Sequence, residues 1–124
     1  MKVFISYRRD DSQVESQFIQ MELVREIGEE NVFFDVDDIP YGVNFKTYLA
    51  DMVAECGVML VMMGQGWADS QDERGERRLT DPRDFVRIEI ESAFARDLKI
   101  IPVLLNGARM PGPDDLPESL QRLS

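Results

Sequence analysis

Histidine is absent from this chain of 124 residues, and cysteine occurs once. The first absence removes serine–histidine and cysteine–histidine nucleophilic chemistry, together with histidine-ligated metal sites. The second removes any intrachain disulfide. A lone Cys56 suits a reducing compartment, so a cytoplasmic location is expected. Cys56 precedes Gly57 at the start of an apolar run, where it reads as a small buried residue. Long hydrophobic runs are missing too: none approaches the length that crosses a bilayer, and the N-terminus has no signal-peptide pattern. Basic residues are few, 14 Lys and Arg against 24 Asp and Glu, for a net charge of −10. Neither a nucleic-acid backbone nor an anionic membrane is the expected partner of such a surface. The one basic group (Arg74, Arg77, Arg78, Arg83, Arg87) is interleaved with acids and reads as a solvated loop rather than a phosphate track. Any catalysis must therefore rest on carboxylates, hydroxyls, backbone dipoles or a cofactor.

What is present is an alternation of strand and helix patterns, at a size that fits one domain with one core. "KVFISY" (Lys2 to Tyr7) is β-branched and aromatic, as a buried strand is. After "RRDDS", read as a loop, helical spacing runs from about Ser12 to Ile27. Val14, Phe18, Met21 and then Val24 or Arg25 line one side, and Gly28 ends the helix as a left-handed C-cap. "NVFFDV" (Asn31 to Val36) is the second strand, and "DDIPYG" is a loop broken by Pro40 and Gly42. A second helix is predicted from about Asn44 to Glu55, with Phe45, Leu49, Met52 and Val53 as its apolar stripe. "GVMLVMM" (Gly57 to Met63) is apolar throughout, as a parallel strand covered on both faces is. A long polar loop leads to a third helix, with Asp81 as N-cap and Pro82 at its first position. "KIIPVLL" (Lys99 to Leu105) is the fourth strand, placed near a sheet edge by Pro102. A last short helix begins in "LPESLQRLS". The alternation implies an α/β fold with a parallel sheet and right-handed crossovers. A flavodoxin-like sheet has a fifth strand that this chain lacks, so a longer protein is expected.

In an open parallel sheet, ligands bind beyond the carboxyl ends of the strands. The segments emerging there are "RRDDS", "DDIPYG", "GQGWADSQDERGERRLTD" and "NGARMPGPDD". The third is longer than a compact domain needs. At about 3.6 residues per turn, Val86, Ile90, Ala93 and Phe94 face the core. Phe85, Glu89 and Ser92 form the neighbouring stripe, so Glu89 projects toward the mouth beneath an aromatic ring. The competing reading is a solvated glutamate paired with Arg87 or Arg96. Glu91 points elsewhere.

"VFISYRRDDS", "FFDVDDIPYGVNF", "DPRDFVRIEIESAF", "IIPVLLNGARMP" and "LPESLQRL" resemble, in order and over almost the whole chain, the motifs of Toll/interleukin-1 receptor (TIR) domains, bacterial ones especially. The resemblance implies a flavodoxin-like parallel sheet of order 2-1-3-4 with helices on both faces. It implies that residues 1–124 are a TIR domain lacking its last strand and helix, N-terminal to a sensor domain in the same longer chain. It further implies hydrolysis of NAD+ at the nicotinamide–ribose bond, in bacterial immune or stress signalling. The products are nicotinamide and ADP-ribose or a cyclic isomer; NAD+ is the substrate, and neither cofactor nor metal is implied.

By that resemblance the essential carboxylate is Glu89, and the aromatic residue four positions earlier is Phe85. A carboxylate near the ribose favours the oxocarbenium-like cation left when nicotinamide departs. Phe85, or Trp67 from the long loop, would exclude water or stack on a ring. Tyr7, Arg8 and Arg9 follow the first strand; the arginines either meet the pyrophosphate or pair with Asp10, Asp11 or Asp35. Gly42 and Phe45 match the BB loop and the helix after it, where they border the nucleotide or contact a neighbouring subunit. Pro40 and Gly42 also read as simple turn formers. Other TIR domains are the implied partners through the BB loop, and a non-catalytic TIR–TIR interaction module is the alternative function. A phospho-receiver, suggested by Asp10 and Asp11, lacks its aspartate because the third strand ends "VMMG". "GQG" is too short for a dinucleotide fingerprint.

Overall fold

Parallel pairing runs through the whole sheet. The computed structural model describes residues 2–34 and 44–123, with the backbone alone at 45 and 46. Among these residues lie four strands, β1 (Val3–Ser6), β2 (Val32–Phe33), β3 (Val58–Met63) and β4 (Lys99–Leu104), in the order β2-β1-β3-β4. Val3 pairs with Val32 on one side and Val58 on the other, and Val58 pairs with Lys99. This is the flavodoxin-like order that the strand–helix alternation and the resemblance imply.

The side-chain alternation of a strand explains both layers. Phe4, Met59, Val61 and Met63 point to one face, Val3, Ile5 and Met62 to the other. Helices α2 (Phe45–Ala54) and α3 (Phe85–Ala95) cover the first face with Leu49, Val53, Val86, Ile90 and Ala93. Helix α1 (Arg9–Ile27) covers the second with Ile19, Leu23 and Ile27. A strand clothed on both faces has no polar side, which is why the β3 sequence is apolar throughout. Pro102 sits opposite Val61 on β4, the last strand in the order, where a missing N–H is tolerated.

Several local expectations are corrected. Helix α1 starts at Arg9, so "RRDDS" is its first turn rather than a loop, with a break at Ser12 (φ −147°, ψ 35°). Its Val14, Phe18 and Met21 stripe faces outward, 61%, 65% and 59% exposed. Two apolar stripes coexist on this helix, and periodicity does not choose between them. The sheet takes the one that begins with Ser12 and Ser16, buried residues small enough to let the helix lie close. Gly28 has a positive φ of 93°, but its ψ of 149° is extended rather than left-handed helical.

Helix α3 starts three residues later than its first cap signal. Asp84, not Asp81, is the N-cap, accepting from the Arg87 amide at 3.1 Å. Asp81 instead closes a 3₁₀ turn over Arg78–Thr80 and accepts from the Arg83 amide. The last segment, Glu118–Leu123, is a 3₁₀ helix that buries Leu120 and Leu123. Beyond Phe34, the rest of the predicted second strand and the following loop, including Asp35, Pro40 and Gly42, lies outside the described residues, as does the Phe45 side chain.

Candidate active site

The exit of β1 grips α3 at two points. Ser6, the last strand residue and fully buried, donates its hydroxyl to Glu89 Oε1 at 2.9 Å. Two residues on, Arg8 donates both terminal nitrogens to Asp84, at 2.9 and 2.7 Å, and its Nε to the Trp67 carbonyl at 3.3 Å. The ion pair is buried on both sides, with side-chain exposures of 3% and 7%. Asp84 and Glu89 are five residues apart, about one and a half helical turns. The two contacts therefore fix both the height and the rotation of α3 against β1. A bidentate guanidinium–carboxylate pair is suited to this because its planar fork tolerates little rotation.

Glu89 is 3% exposed, which removes the solvated alternative. Of the two arginines considered as its partner, Arg87 is engaged elsewhere, donating to Glu91 at 3.0 Å and to the Leu79 carbonyl at 3.0 Å. Helix α3 is buried around much of its circumference, with Val86, Ile88, Ile90 and Ala93 all inside. Covering by α2 and by the C-terminal 3₁₀ helix, besides the sheet, is what takes Glu89 from a rim stripe into the interior. A carboxylate there needs donors, and the Ser6 hydroxyl supplies one.

Above this pair lies a cleft of about 260 Å³, walled by Tyr7, Arg8, Arg9, Asp10, Arg78, Asp84, Phe85 and Val86. Phe85 is 39% exposed at its rim. Glu89 is not part of the wall; it sits one turn deeper along α3. Tyr7 stacks on Phe34 at 4.7 Å with rings 6° from parallel. Arg9, the first residue of α1, is exposed and reaches the same cleft. So the structure brings Tyr7, Arg8, Arg9 and Phe85 together and puts Glu89 beneath them.

Two of the candidate substrate contacts are reassigned. Arg8 is committed to Asp84, a partner outside the three considered from sequence, and is a structural cation rather than one waiting for a phosphate. Trp67 is 1% exposed and packs in the core, so it offers no ring face for stacking; its indole N–H has no partner among the described residues. The cause is Asp11, whose carboxylate accepts from the Gly64 and Gly66 amides at 2.7 and 2.9 Å. That clamp folds the chain back over the end of β3 and tucks Trp67 inward. It also explains the "GQG" glycines: a Cβ at Gly64 would lie 2.6 Å from Asp11 Oδ1. Asp10 accepts from the Ser70 hydroxyl at 2.8 Å, tying the long loop to the first turn of α1. Both acids of the receiver alternative are thus engaged with the protein itself.

Sequence reasoning missed Ser6 and Asp84. A hydroxyl inside an otherwise apolar buried strand was a usable signal for the first, and two cap candidates three residues apart in "DPRD" for the second. A larger recess of about 490 Å³ opens beyond β3 and β4, beside Trp67, Asp69, Arg109 and Asp115. It shares no wall residue with the cleft over Glu89, so volume alone would have pointed away from the buried carboxylate. Among the described residues no group of three or more Asp, Glu or Cys gathers as a metal site would require. Nor is any described helix long and apolar enough to cross a membrane.

A flavodoxin-like α/β domain with an acidic side chain locked at the carboxyl edge of its sheet defines the class. Residues 3–124 match the family model of the TIR domain, and the chain belongs to that family. Among solved structures it is similar to a metazoan TIR-STING receptor from C. gigas, with a TM-score of 0.53 and 19% sequence identity. That match covers 98% of this chain and 35% of the receptor, and at such identity it concerns the fold alone. No curated protein matches the chain.

Proposed function

We propose that this TIR domain hydrolyses NAD+ at the nicotinamide–ribose bond, with Glu89 as the catalytic carboxylate, and that self-association switches the activity on. The observation that carries the reading is the Glu89 carboxylate buried one turn below Phe85 and held by the Ser6 hydroxyl. Nicotinamide leaves without a general acid because its departure neutralises the pyridinium charge. What the protein must supply is negative charge beside the ribosyl cation, in a place shielded from water. The Ser6 hydroxyl holds the Glu89 carboxylate in place before a sugar arrives. Water, or an atom of the departing nucleotide, then captures the cation to give ADP-ribose or a cyclic isomer.

With 3% exposure in a single chain, Glu89 needs a movement at the cleft mouth before a ribose can reach it. A partner copy that rearranges the mouth provides one, which favours an activity dependent on assembly. The second reading, a non-catalytic interaction module, shares that dependence and differs in outcome. Incubation with NAD+, free and under forced clustering, separates them. Nicotinamide release that clustering increases and Glu89→Gln abolishes supports catalysis; no release in either condition, or equal release by Glu89→Gln, leaves the interaction module.

A further inference from the structure

We propose that the outward stripe of α1 pairs two copies of this chain, helix against helix and antiparallel, at a surface other than the BB loop. The pairing deepens the self-association half of the functional reading, on which it rests, and stands without the catalysis. Val14, Phe18 and Met21 are three of the six large apolar side chains exposed among the described residues, and they share one line along the helix. All three follow the break at Ser12, so regular helical spacing applies to them. At about 3.6 residues per turn they lie roughly half a turn around the axis from Ile19, Leu23 and Ile27, which meet the sheet. A strand or helix that extended the sheet would lie beside α1, not over its outer side. Only a second molecule or a separate domain reaches this stripe.

Charge favours a second copy. The chain carries a net charge of −10, so two copies repel in most orientations. The outer stripe is the exception. Gln13, Val14, Gln17, Phe18 and Met21 are exposed and uncharged, and beyond them Glu22 and Arg25 offset each other at 3.5 Å. A basic partner would be drawn to the acidic parts of the surface instead.

The ends of the helix set the direction. The first turn of α1 is acidic, with Asp10 and Asp11, and the last turn carries Arg25. Parallel copies would bring acid to acid and base to base. Antiparallel copies centred between Gln17 and Phe18 set Val14 against Met21 of the second copy and Arg25 against its Asp10, each contact made twice by symmetry. Asp11 is occupied by the Gly64 and Gly66 amides, whereas Asp10 is exposed and accepts from the Ser70 hydroxyl alone among the described residues. The Arg25 side chain is 72% exposed, and its contact with Glu22 is a surface pair that exchanges at little cost.

Asp10 also walls the cleft above Glu89. The α1 pair therefore ends at the mouth whose movement the catalytic reading requires, where Arg25 of the second copy competes with Ser70 for Asp10. Three apolar side chains per copy make a small interface, so the pairing is weak and depends on concentration, as an assembly switch must.

Sedimentation equilibrium on the whole chain, without NAD+, reads the pairing apart from catalysis. Wild type is expected to form dimers, and Phe18→Ser to weaken them at least about tenfold. The urea midpoint of Phe18→Ser, measured where wild type is monomeric, should stay unchanged. Arg25→Glu is expected to weaken the dimer about fivefold, with Arg25→Lys near wild type. Direction is read with introduced cysteines, since Cys56 is buried. Under mild oxidation Val14→Cys chains should cross-link to Met21→Cys chains, and neither variant to itself. A wild-type chain that stays monomeric up to about 1 mM overturns the proposal. So do dimers that Phe18→Ser leaves intact, and so does cross-linking of each cysteine variant only to itself, which marks parallel copies. Dimers lost in Phe18→Ser, from a chain that releases no nicotinamide, support the pairing and overturn the catalytic reading. Nicotinamide release that rises with clustering, from a chain whose dimers ignore Phe18→Ser, supports catalysis and overturns the pairing.

Discussion

Ser6 and Glu89 show how much a single buried contact decides. The hydroxyl is the described donor to Glu89 Oε1, and both groups are out of water. Ser6→Ala leaves that oxygen without it, which is expected to cost roughly 1–3 kcal/mol of stability in urea denaturation. If the hydroxyl also positions the carboxylate for chemistry, kcat falls about tenfold with KM nearly constant. A kcat equal to wild type would confine Ser6 to a structural role. Cys56 is a second residue whose behaviour follows from its surroundings. It is buried and donates to the Met52 carbonyl, and burial, reinforced by Glu55, pushes its thiol from an ordinary 9.0 up to about 11. A folded value above the unfolded one means the stabilisation is present below pH 9 and lost as pH rises through about 11. Iodoacetamide at neutral pH should therefore label the native chain far more slowly than the denatured one; equal rates would show an open thiol.

At the scale of elements, the Arg8–Asp84 pair and the Asp11 clamp tie the ends of β1, β3, α1 and α3 into one rim. Arg8→Ala strands a buried carboxylate and is expected to destabilise by about 3–5 kcal/mol, read as a lowered denaturation midpoint. A loss below about 1 kcal/mol would mean that water reaches Asp84. Helix α1 offers a sharper contrast, since its two apolar stripes differ in burial. Leu23→Ala, on the sheet side, should cost about 2–4 kcal/mol, whereas Phe18→Ser, on the exposed side, should change stability by no more than about 0.5 kcal/mol. The reverse ranking would mean that the helix sits rotated from the orientation described. From sequence, the existence and the end of this helix at Ile27 were legible because apolar spacing was regular, whereas its start at Arg9 was not. Its rotation was not, because both stripes satisfy the same period.

For the molecule as a whole, the order β2-β1-β3-β4 brings the segments after β1 and β3 and the start of α3 to one edge of the sheet. Everything proposed about function depends on that convergence. The cleft there is small, about 260 Å³, and the carboxylate lies below its wall. If the single chain is closed and an assembly is open, nicotinamide release should rise more steeply than linearly with protein concentration, and tethering copies on a scaffold should raise it at fixed concentration. Strict proportionality to concentration, with no effect of tethering, would place the complete site within one chain.

Sequence by itself determined the alternation of strands and helices, the two-sided burial of β3, the edge position of Pro102, and the spacing that sets Glu89 four residues after Phe85. Each of these is a local property, carried by the period of apolar side chains or by the chemistry of one residue type. Tertiary structure alone decided that α1 turns Phe18 outward, that Arg8 meets Asp84, that Trp67 goes into the core, and that Glu89 lies against Ser6 rather than in solvent. These depend on which segments the sheet order makes neighbours, and residues 59 to 83 positions apart carry no mark of one another in a single sequence.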